Sequence, residues 1–308
     1  MPRYVIRLLS LIPPDLFLTF KMKNETVRIK FPVYGWLGLA FIAVFWYLNW
    51  FLNGLRTQWG FFPMWLCYCL AVDGLVYKRK GTSLIKRSIK NFILLFIISA
   101  PAWWLFEFLN GFTKNWYYDG RQYFTGLQYF LLASLSFSTV MPAVFGTAEL
   151  VGTFKLILNL KKRKAAGQNK SAALKMLAAG MAMLSLVIIF PEYFYYLIWI
   201  ALYLIIEPVN LSLKNKTLIE FTRQGDWRPL AALSTGTLVC GFFWEMWNYY
   251  SYPKWIYHLP FLNSLHVFQM PLPGFIGYIP FSFELYAIYH LAAGLISKKT
   301  LSDYIRII

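Results

Sequence analysis

Residues 244–248 are Trp-Glu-Met-Trp-Asn, and Trp-Ile-Tyr-His follows at residues 255–258. The first stretch holds one carboxylate, Glu245, in an otherwise apolar and aromatic run. An ionised side chain costs from roughly 3 to above 10 kcal/mol at the centre of a bilayer, so a chain that keeps one there usually has a use for it. The surroundings of Glu245 are therefore the starting point for both the fold and the site.

The pattern around Glu245 occurs twice. It consists of aromatic-x-x-Glu-x-x-Asn, a Trp-x-Tyr triplet, a proline and a second glutamate. The first copy has Trp104, Glu107, Asn110, Trp116, Tyr118, Pro142 and Glu149, and the second has Phe242, Glu245, Asn248, Trp255, Tyr257, Pro280 and Glu284. Asp73 and Glu207 extend the match, and corresponding acids lie 134 to 138 residues apart. This ordered set predicts a tandem duplication.

The composition indicates a membrane protein. The 308 residues are 58% hydrophobic, 20% aromatic and only 14% charged, whereas a soluble domain is about a quarter charged. The apolar runs are continuous, which favours helices over the period-two alternation of a β-barrel. The chain is therefore expected to be an all-α polytopic membrane protein.

About eight apolar runs are long enough to cross a bilayer. We expect them at residues 32–53, 60–77, 90–110, 131–154, 174–191, 193–213, 229–250 and 271–296. Four spans per copy is an even number, so the two copies are expected to be parallel four-helix repeats about an axis along the membrane normal.

Basic residues gather on every second connection between the spans. All but four of the 30 Lys and Arg fall on one predicted side, and the exceptions are Arg56, Lys114, Arg121 and Lys254. This positive-inside pattern predicts that both termini are cytoplasmic, with a prokaryotic inner membrane as the expected location. It also explains the net charge of +17 without a nucleic-acid partner; the expected partner is the lipid bilayer.

Five segments follow from these boundaries. We expect a cytoplasmic interfacial segment at 1–31, repeat 1 at 32–160, a basic cytoplasmic linker at 161–173, repeat 2 at 174–297 and a cytoplasmic tail at 298–308. Pro13 and Pro14 interrupt the first apolar run, which argues against a cleavable signal peptide.

Four glutamates are the candidate catalytic residues. Glu107 and Glu245 are expected near the non-cytoplasmic ends of the third and seventh spans, and Glu149 and Glu284 within the fourth and eighth. A carboxylic acid removed from water favours its neutral form and can serve as a general acid. The alternative is that these residues only join helices by hydrogen bonds.

Asparagine and aromatic side chains near the glutamates are the candidate substrate-binding residues. They are Asn110, Trp116, Tyr118, Trp244, Asn248, Trp255, Tyr257 and His258. The spacing Glu-x-x-Asn puts both side chains on one helical face. The aromatics either form an interfacial belt or cover a cavity for an apolar ligand, where their faces can stabilise a carbocation.

Other groups carry weaker signals. Asp73 and Glu207 are expected to form salt bridges with nearby basic residues. His258 and His266 lack a third ligand at a suitable spacing, so no metal site is expected. The chain has no Walker loop and no dinucleotide fingerprint, and we expect no cofactor.

The duplicated motif resembles the small membrane lycopene cyclases of the heterodimeric or fused type. Repeats in that family carry a Trp-Asp pair, a Trp-x-Tyr/Phe turn and a Pro-x-Glu-Glu motif. Trp244-Glu245, Trp255-Ile256-Tyr257 and residues 280–284 follow the same order. The chain departs from the family by having Glu in place of Asp, a single Glu after the proline, and four rather than about three spans per repeat.

The resemblance implies acid–base chemistry on an isoprenoid or carotenoid-like lipid, without a cofactor. A protonated Glu would protonate an alkene, and a second carboxylate would remove a proton after cyclisation, isomerisation or hydration. Two alternatives remain open from the residues alone. One is a proton-coupled transporter or lipid-handling carrier, and the other is a non-catalytic membrane scaffold.

Overall fold

Long apolar helices form most of the chain in the computed structural model, which describes residues 29–160, 170–261 and 265–308. The helices are α1 Val33–Phe51, α2 Thr57–Lys80, α3 Leu84–Arg87, α4 Ile89–Thr113, α5 Gly126–Phe137, α6 Val140–Val151, α7 Lys155–Leu158, α8 Lys170–Ile189, α9 Pro191–Phe194, α10 Ile198–Ser212, α11 Leu218–Arg223, α12 Arg228–Tyr249 and α13 Tyr278–Leu301. The all-α polytopic class predicted from the composition is confirmed. Most of the predicted segment 1–31 and of the linker lies outside the described residues.

Seven stretches of the described chain are long and apolar enough to cross a membrane. They are Val33–Phe51, Thr57–Lys80, Ile89–Thr113, Gly126–Val151, Ser171–Ile189, Pro191–Ser212 and Leu272–Ser297. Each overlaps one of the eight predicted spans. The remaining predicted span, 229–250, corresponds to α12, which has 22 residues but is not among these seven.

Two of the predicted spans are interrupted helices. The fourth consists of α5 and α6, which meet at Ser138 and Thr139. The sixth consists of α9, a 3₁₀ turn at Tyr195–Leu197, and α10. By contrast, α2 is continuous although it contains Pro63. Membrane helices tolerate such breaks where neighbouring groups satisfy the freed backbone atoms.

Polar side chains cap the N-terminal ends of two short helices between the spans. Ser83 Oγ accepts a hydrogen bond from the N–H of Lys86 at the start of α3. Thr217 and Glu220 form a capping box at the start of α11, in which each side chain accepts from the backbone N–H of the other residue. Such caps satisfy N–H groups that have no partner within the helix.

The inner and outer helices differ in burial. α1 packs along α2, and α8 packs along α10, but only 17% and 11% of their apolar windows are buried. Their remaining apolar side chains face outward, as expected for helices that contact lipid. α6 and α12 pack against each other in the interior.

Two short strands join the two halves of the chain at one end of the helices. β1 Trp116–Asp119 pairs antiparallel with β2 Lys254–Tyr257. We call this pair the ribbon, and its end of the molecule the ribbon end. The opposite end, where Tyr304–Ile307 pack, is called the tail end. A second pair joins β3 His266–Val267 to β4 Met270–Pro271. These strands were not predicted from the repeated Trp-x-Tyr triplets.

Candidate functional site

Three aromatic donors surround Glu107 near the ribbon end of α4. The indole N–H groups of Trp103 and Trp116 donate to Glu107 Oε1 over 2.9 and 3.0 Å. The hydroxyl of Tyr118 donates to the same oxygen over 2.6 Å. Trp116 and Tyr118 come from β1, so the ribbon brings two of the three donors to the helix.

Glu245 has a corresponding arrangement on α12. The hydroxyls of Tyr257 and Tyr278 donate to Glu245 Oε1 over 2.8 and 2.7 Å. The residue is completely buried. Burial, with the adjacent Glu245 carboxyl, raises the pKa of Tyr257 well above its ordinary value. Tyr257 therefore keeps its proton and remains a donor.

The side-chain amides of Asn110 and Asn248 bind the backbone of the two ribbon strands. Asn248 Oδ1 accepts from the N–H of Trp255 over 2.9 Å, and its Nδ2 donates to Trp255 O over 2.7 Å. Asn110 makes the same pair of contacts with Trp116, at 3.2 and 2.8 Å, and also accepts from the N–H of Asn115. Both amides therefore bind the backbone of the strand that follows, and neither donates to the glutamate on the same helical face.

A cavity of about 450 Å³ lies against the ribbon. Its wall is mainly apolar, and aromatic residues are the largest group in it. The aromatic residues are Phe61, Trp103, Trp116, Tyr118, Phe124, Tyr129, Phe137, Tyr195, Tyr196, Trp199, Trp244, Trp255, Tyr257, Tyr278 and Phe281. Small-molecule sites commonly have a volume of 300–1,000 Å³ and an apolar lining with few polar groups. The cavity has these properties.

The cavity wall includes donors to both Glu107 and Glu245. Trp116 and Tyr118 line it and bind Glu107; Tyr257 and Tyr278 line it and bind Glu245. Neither carboxyl group itself forms part of the wall. Between the carboxylate and the cavity there are therefore indole N–H groups and a tyrosine hydroxyl at Glu107, and two tyrosine hydroxyls at Glu245.

Glu149 lies at the tail end, away from this cavity. Its Oε1 forms an ion pair with Arg87 at 2.5 Å and accepts from the backbone N–H of Arg306 over 2.8 Å. Glu149 is fully buried and the Arg87 side chain is 7% exposed. The structure thus does not bring Glu149 together with Glu107 and Glu245.

Glu284 is also buried, about one helical turn beyond the cavity-lining Phe281 on α13. Its Oε1 accepts from the backbone N–H of Leu202 over 3.2 Å, near the start of α10. Along the helix axes, Glu284 therefore lies between the cavity and Glu149 at the tail end.

Asp73 and Glu207 bind backbone N–H groups. Asp73 accepts from the N–H of Ile85 over 3.0 Å and from the hydroxyls of Tyr34 and Ser83. Glu207 accepts from the N–H of Ile219 over 3.0 Å. The salt bridges that were expected for Asp73 and Glu207 are not formed among the described residues, and hydrogen bonds hold both side chains instead. Glu149 is the buried acid that forms an ion pair, with Arg87.

Two donors at these carboxylates were missed by the sequence analysis. Trp103 adjoins the motif residue Trp104 and lies four residues before Glu107, a spacing that places it on the same helical face. Tyr278 lies two residues before Pro280 but reaches Glu245 from another helix. The first could have been found from spacing, and the second needed the tertiary fold.

The histidines and cysteines form no obvious metal site. His258 and His266 border a separate small cavity of about 190 Å³ beside the ribbon, together with Gln269. Among the described residues, no group of three or more His, Cys, Asp and Glu side chains has a metal-binding arrangement. The cysteines Cys67, Cys69 and Cys240 are buried and unpaired with one another.

Comparisons of this chain with protein-family models, with curated proteins and with solved structures give no match.

Proposed function

We propose that the chain consists of two parallel four-helix repeats, with α12 as an eighth membrane span. Equivalent contacts in the two halves support this arrangement. Asp73 binds the N–H twelve residues later, and Glu207 does the same. Asn110 and Asn248 each bind both backbone groups of the tryptophan in the following strand.

The orientation that we propose has the ribbon end on the non-cytoplasmic side and both termini in the cytoplasm. The four basic residues that depart from the positive-inside pattern support it. Arg56, Lys114, Arg121 and Lys254 border the connections at the ribbon end, whereas the clusters near Lys78–Lys80 and Lys155 lie at the tail end. Such an asymmetry in short connections sets membrane orientation.

We further propose that the cavity binds an isoprenoid-like lipid chain and that Glu107 and Glu245 are its acid–base groups. The observation that carries this proposal is that donors to both carboxylates line the same aromatic cavity. An apolar cavity in a membrane protein suits a substrate that is dissolved in the bilayer. This assignment is in keeping with the resemblance to the membrane lycopene cyclases.

The proposed reaction needs no cofactor. A neutral Glu gives its proton to the oxygen of a tyrosine on the cavity wall. That tyrosine turns its own hydroxyl proton from the carboxyl group to one carbon of an alkene, so its O–H bond breaks and the π electrons form the new C–H bond. The resulting carbocation is stabilised by the aromatic faces. A second alkene attacks the cation to close a ring, and loss of a proton to the opposite carboxylate restores a double bond. The net change is an isomerisation.

Matched glutamine variants test the acid–base role. Glu245→Gln and Glu107→Gln keep the shape of the side chain and its ability to accept from tyrosine, but remove the acid. Membranes that contain each variant would be fed polyisoprenoids, and the products would be separated by chromatography. Glu192→Gln, at an exposed position on α9, serves as the control.

We expect the control to form the same products as the unaltered protein and the two site variants to lose at least about a hundredfold in rate, as is typical when general acid–base catalysis is removed. Equal rates in all four proteins would refute the acid–base role.

A carrier is the second candidate, and the interrupted sixth span favours it. Discontinuous helices beside a cavity between repeats are common in secondary transporters. Here α9, the turn Tyr195–Leu197 and α10 form such a helix, and Tyr195, Tyr196 and Leu197 line the cavity. Proteoliposomes with an imposed pH gradient separate the candidates, because a carrier responds to the gradient and an isomerase also works in detergent.

A further inference from the structure

Asn115 is a buried polar residue on the cavity wall whose side chain has no protein partner. Only 1% of its surface is exposed, and it lines the cavity. Neither its Oδ1 nor its Nδ2 has a hydrogen-bond partner among the residues that the structure describes. A buried polar group without a partner is destabilising, so such groups are uncommon in folded proteins.

The backbone of Asn115 explains why the side chain is held there. Its N–H donates to Asn110 Oδ1 over 2.8 Å, and its carbonyl accepts from the N–H of His258 over 2.7 Å. Asn115 therefore continues the ribbon by one residue, and its main-chain position is fixed from both halves of the molecule. The amide is thus held beside the cavity with its donor and its acceptor unpaired.

Two basic residues on the wall differ from Asn115 because they already have partners. Arg121 Nη1 donates to Phe124 O over 3.0 Å, and its guanidinium lies 4.1 Å from the centre of the Tyr129 ring. Lys254 Nζ donates to Tyr249 O over 3.2 Å. The buried polar groups on the wall that have no partner among the described residues are the Asn115 amide and the indole N–H of Trp255. Both are neutral, and an amide pairs with a hydroxyl or a carbonyl.

We infer that the ligand of this cavity carries a neutral oxygen function, a hydroxyl or a carbonyl, on its apolar chain, and that Asn115 binds that oxygen. The inference rests on the proposed function, since it names the class of lipid that the same cavity takes. A pure hydrocarbon would leave the amide unpaired, and sites built around a buried hydrogen bond discriminate against analogues that lack the partner.

Farnesol and farnesene are suitable probes, because they share an isoprenoid skeleton and farnesol has a hydroxyl group in place of one double bond of farnesene. Their binding to the purified full chain in detergent can be followed by tryptophan fluorescence, since Trp103, Trp116, Trp199, Trp244 and Trp255 line the cavity. The variant is Asn115→Leu, which has a similar shape and no polar atoms. Asn53→Leu, at an exposed position at the ribbon end, is the matched control.

We expect the unaltered protein and Asn53→Leu to bind farnesol at least about tenfold more tightly than farnesene, the effect of one well-placed hydrogen bond in an apolar site. Asn115→Leu should bind the two probes within about twofold of each other. Without ligand, Asn115→Leu should melt at the same or a higher temperature than the unaltered protein, because it removes unpaired buried atoms. A residue needed for the fold would instead lower the melting temperature.

Three results would overturn the inference. If the unaltered protein binds farnesol and farnesene equally, the cavity binds a lipid but does not require a hydroxyl or carbonyl on it. If Asn115→Leu melts normally and still prefers farnesol, Asn115 does not bind the oxygen. If neither probe binds the unaltered protein or the control, the proposed lipid site fails and the inference fails with it.

Discussion

Trp116 pairs with Tyr257 across the ribbon, although its counterpart in the repeated Trp-x-Tyr motif is Trp255. Tyr118 likewise pairs with Trp255 rather than with its counterpart Tyr257. Each tryptophan of one motif thus faces the tyrosine of the other. Two equivalent strands pair in this register when a local two-fold axis passes between them, which supports the proposed repeat arrangement. Within the ribbon, Tyr118 donates to Glu107 and Tyr257 donates to Glu245, so the two carboxylates have equivalent contacts.

Replacement of Asn110 or Asn248 by Ala should destabilise the protein to a similar extent. Each change removes hydrogen bonds to the backbone of one strand and leaves buried backbone groups unpaired. We expect a loss of about 1–3 kcal/mol in the free energy of unfolding for each variant, measured in detergent. Asn53→Ala, on the surface at the same end, should change it by less than about 0.5 kcal/mol. A large loss in only one of the two site variants would argue against equivalent roles.

Breaking the ion pair between Glu149 and Arg87 should be strongly destabilising. Glu149→Gln leaves the buried guanidinium without its counter-charge, and the loss of one partner of a buried pair typically costs about 3–5 kcal/mol. The double variant Glu149→Gln, Arg87→Met removes both charges and should recover part of the loss. Chemical unfolding of the three proteins gives these values.

The exposed pair between Lys216 and Asp303 is the natural control for that experiment. Its side chains are 35% and 77% exposed, so the solvent screens the interaction. Asp303→Asn should therefore change the free energy of unfolding by less than about 1 kcal/mol. If this change matched that of Glu149→Gln, burial would not explain the difference between the two pairs.

Gly236 on α12 should not tolerate alanine. A Cβ at this position would lie 2.8 Å from both Cα and N of Ala148 on α6, and these are backbone atoms that cannot move aside. We expect Gly236→Ala to cost about 1–3 kcal/mol, as overpacking does in other cores. Gly111→Ala on α4, where a Cβ meets nothing within 4 Å, should stabilise the helix by about 0.5–1 kcal/mol. Thermal unfolding of both variants tests the close approach of the two helices.

A bulky side chain at Ala133 should block the cavity. Ala133 lines it from α5, so Ala133→Phe fills space that a ligand needs. We expect the affinity for farnesol to fall by more than about tenfold, which corresponds to about 1.4 kcal/mol. Leu127→Phe on the outward face of the same helix is the control, since Leu127 is 68% exposed. Equal affinities in the two variants would mean that farnesol binds elsewhere.

The positions of the long helices follow from the sequence because each requires only a local run of apolar residues. The predicted span 90–110 lies within Ile89–Thr113, and 60–77 lies within Thr57–Lys80. The breaks at Ser138–Thr139 and Tyr195–Leu197 were not predicted, because neither the pair of hydroxyl residues nor the aromatic turn contains a proline or glycine that would end a helix. Whether a helix stays continuous there depends on contacts with other helices, which no local pattern contains.

The candidate site was predictable where its parts lie on one helix or in a repeated motif. Glu107 with Tyr118, and Glu245 with Tyr257, were grouped by the repeat, and the structure brings each pair into contact. Glu149 was grouped with them by its place after a proline, yet its partner Arg87 lies 62 residues away in the chain. Spacing cannot reveal an ion pair of that kind, because it depends on how α3, α6 and the chain after α13 meet.

The contacts at the tail end form late in biosynthesis, because they join the last residues of the given chain to its first half. Arg306 donates its N–H to Glu149, the carbonyl of Ile307 lies against Gly152, and the hydroxyl of Tyr304 donates to Leu84 O. Groups in the first half of the chain therefore obtain their partners only after the ribosome has passed the last membrane helix. Until then, the buried ion pair between Glu149 and Arg87 lacks the hydrogen bond from Arg306. Nascent chains that stop before Arg306 should be recognised and degraded by membrane quality control.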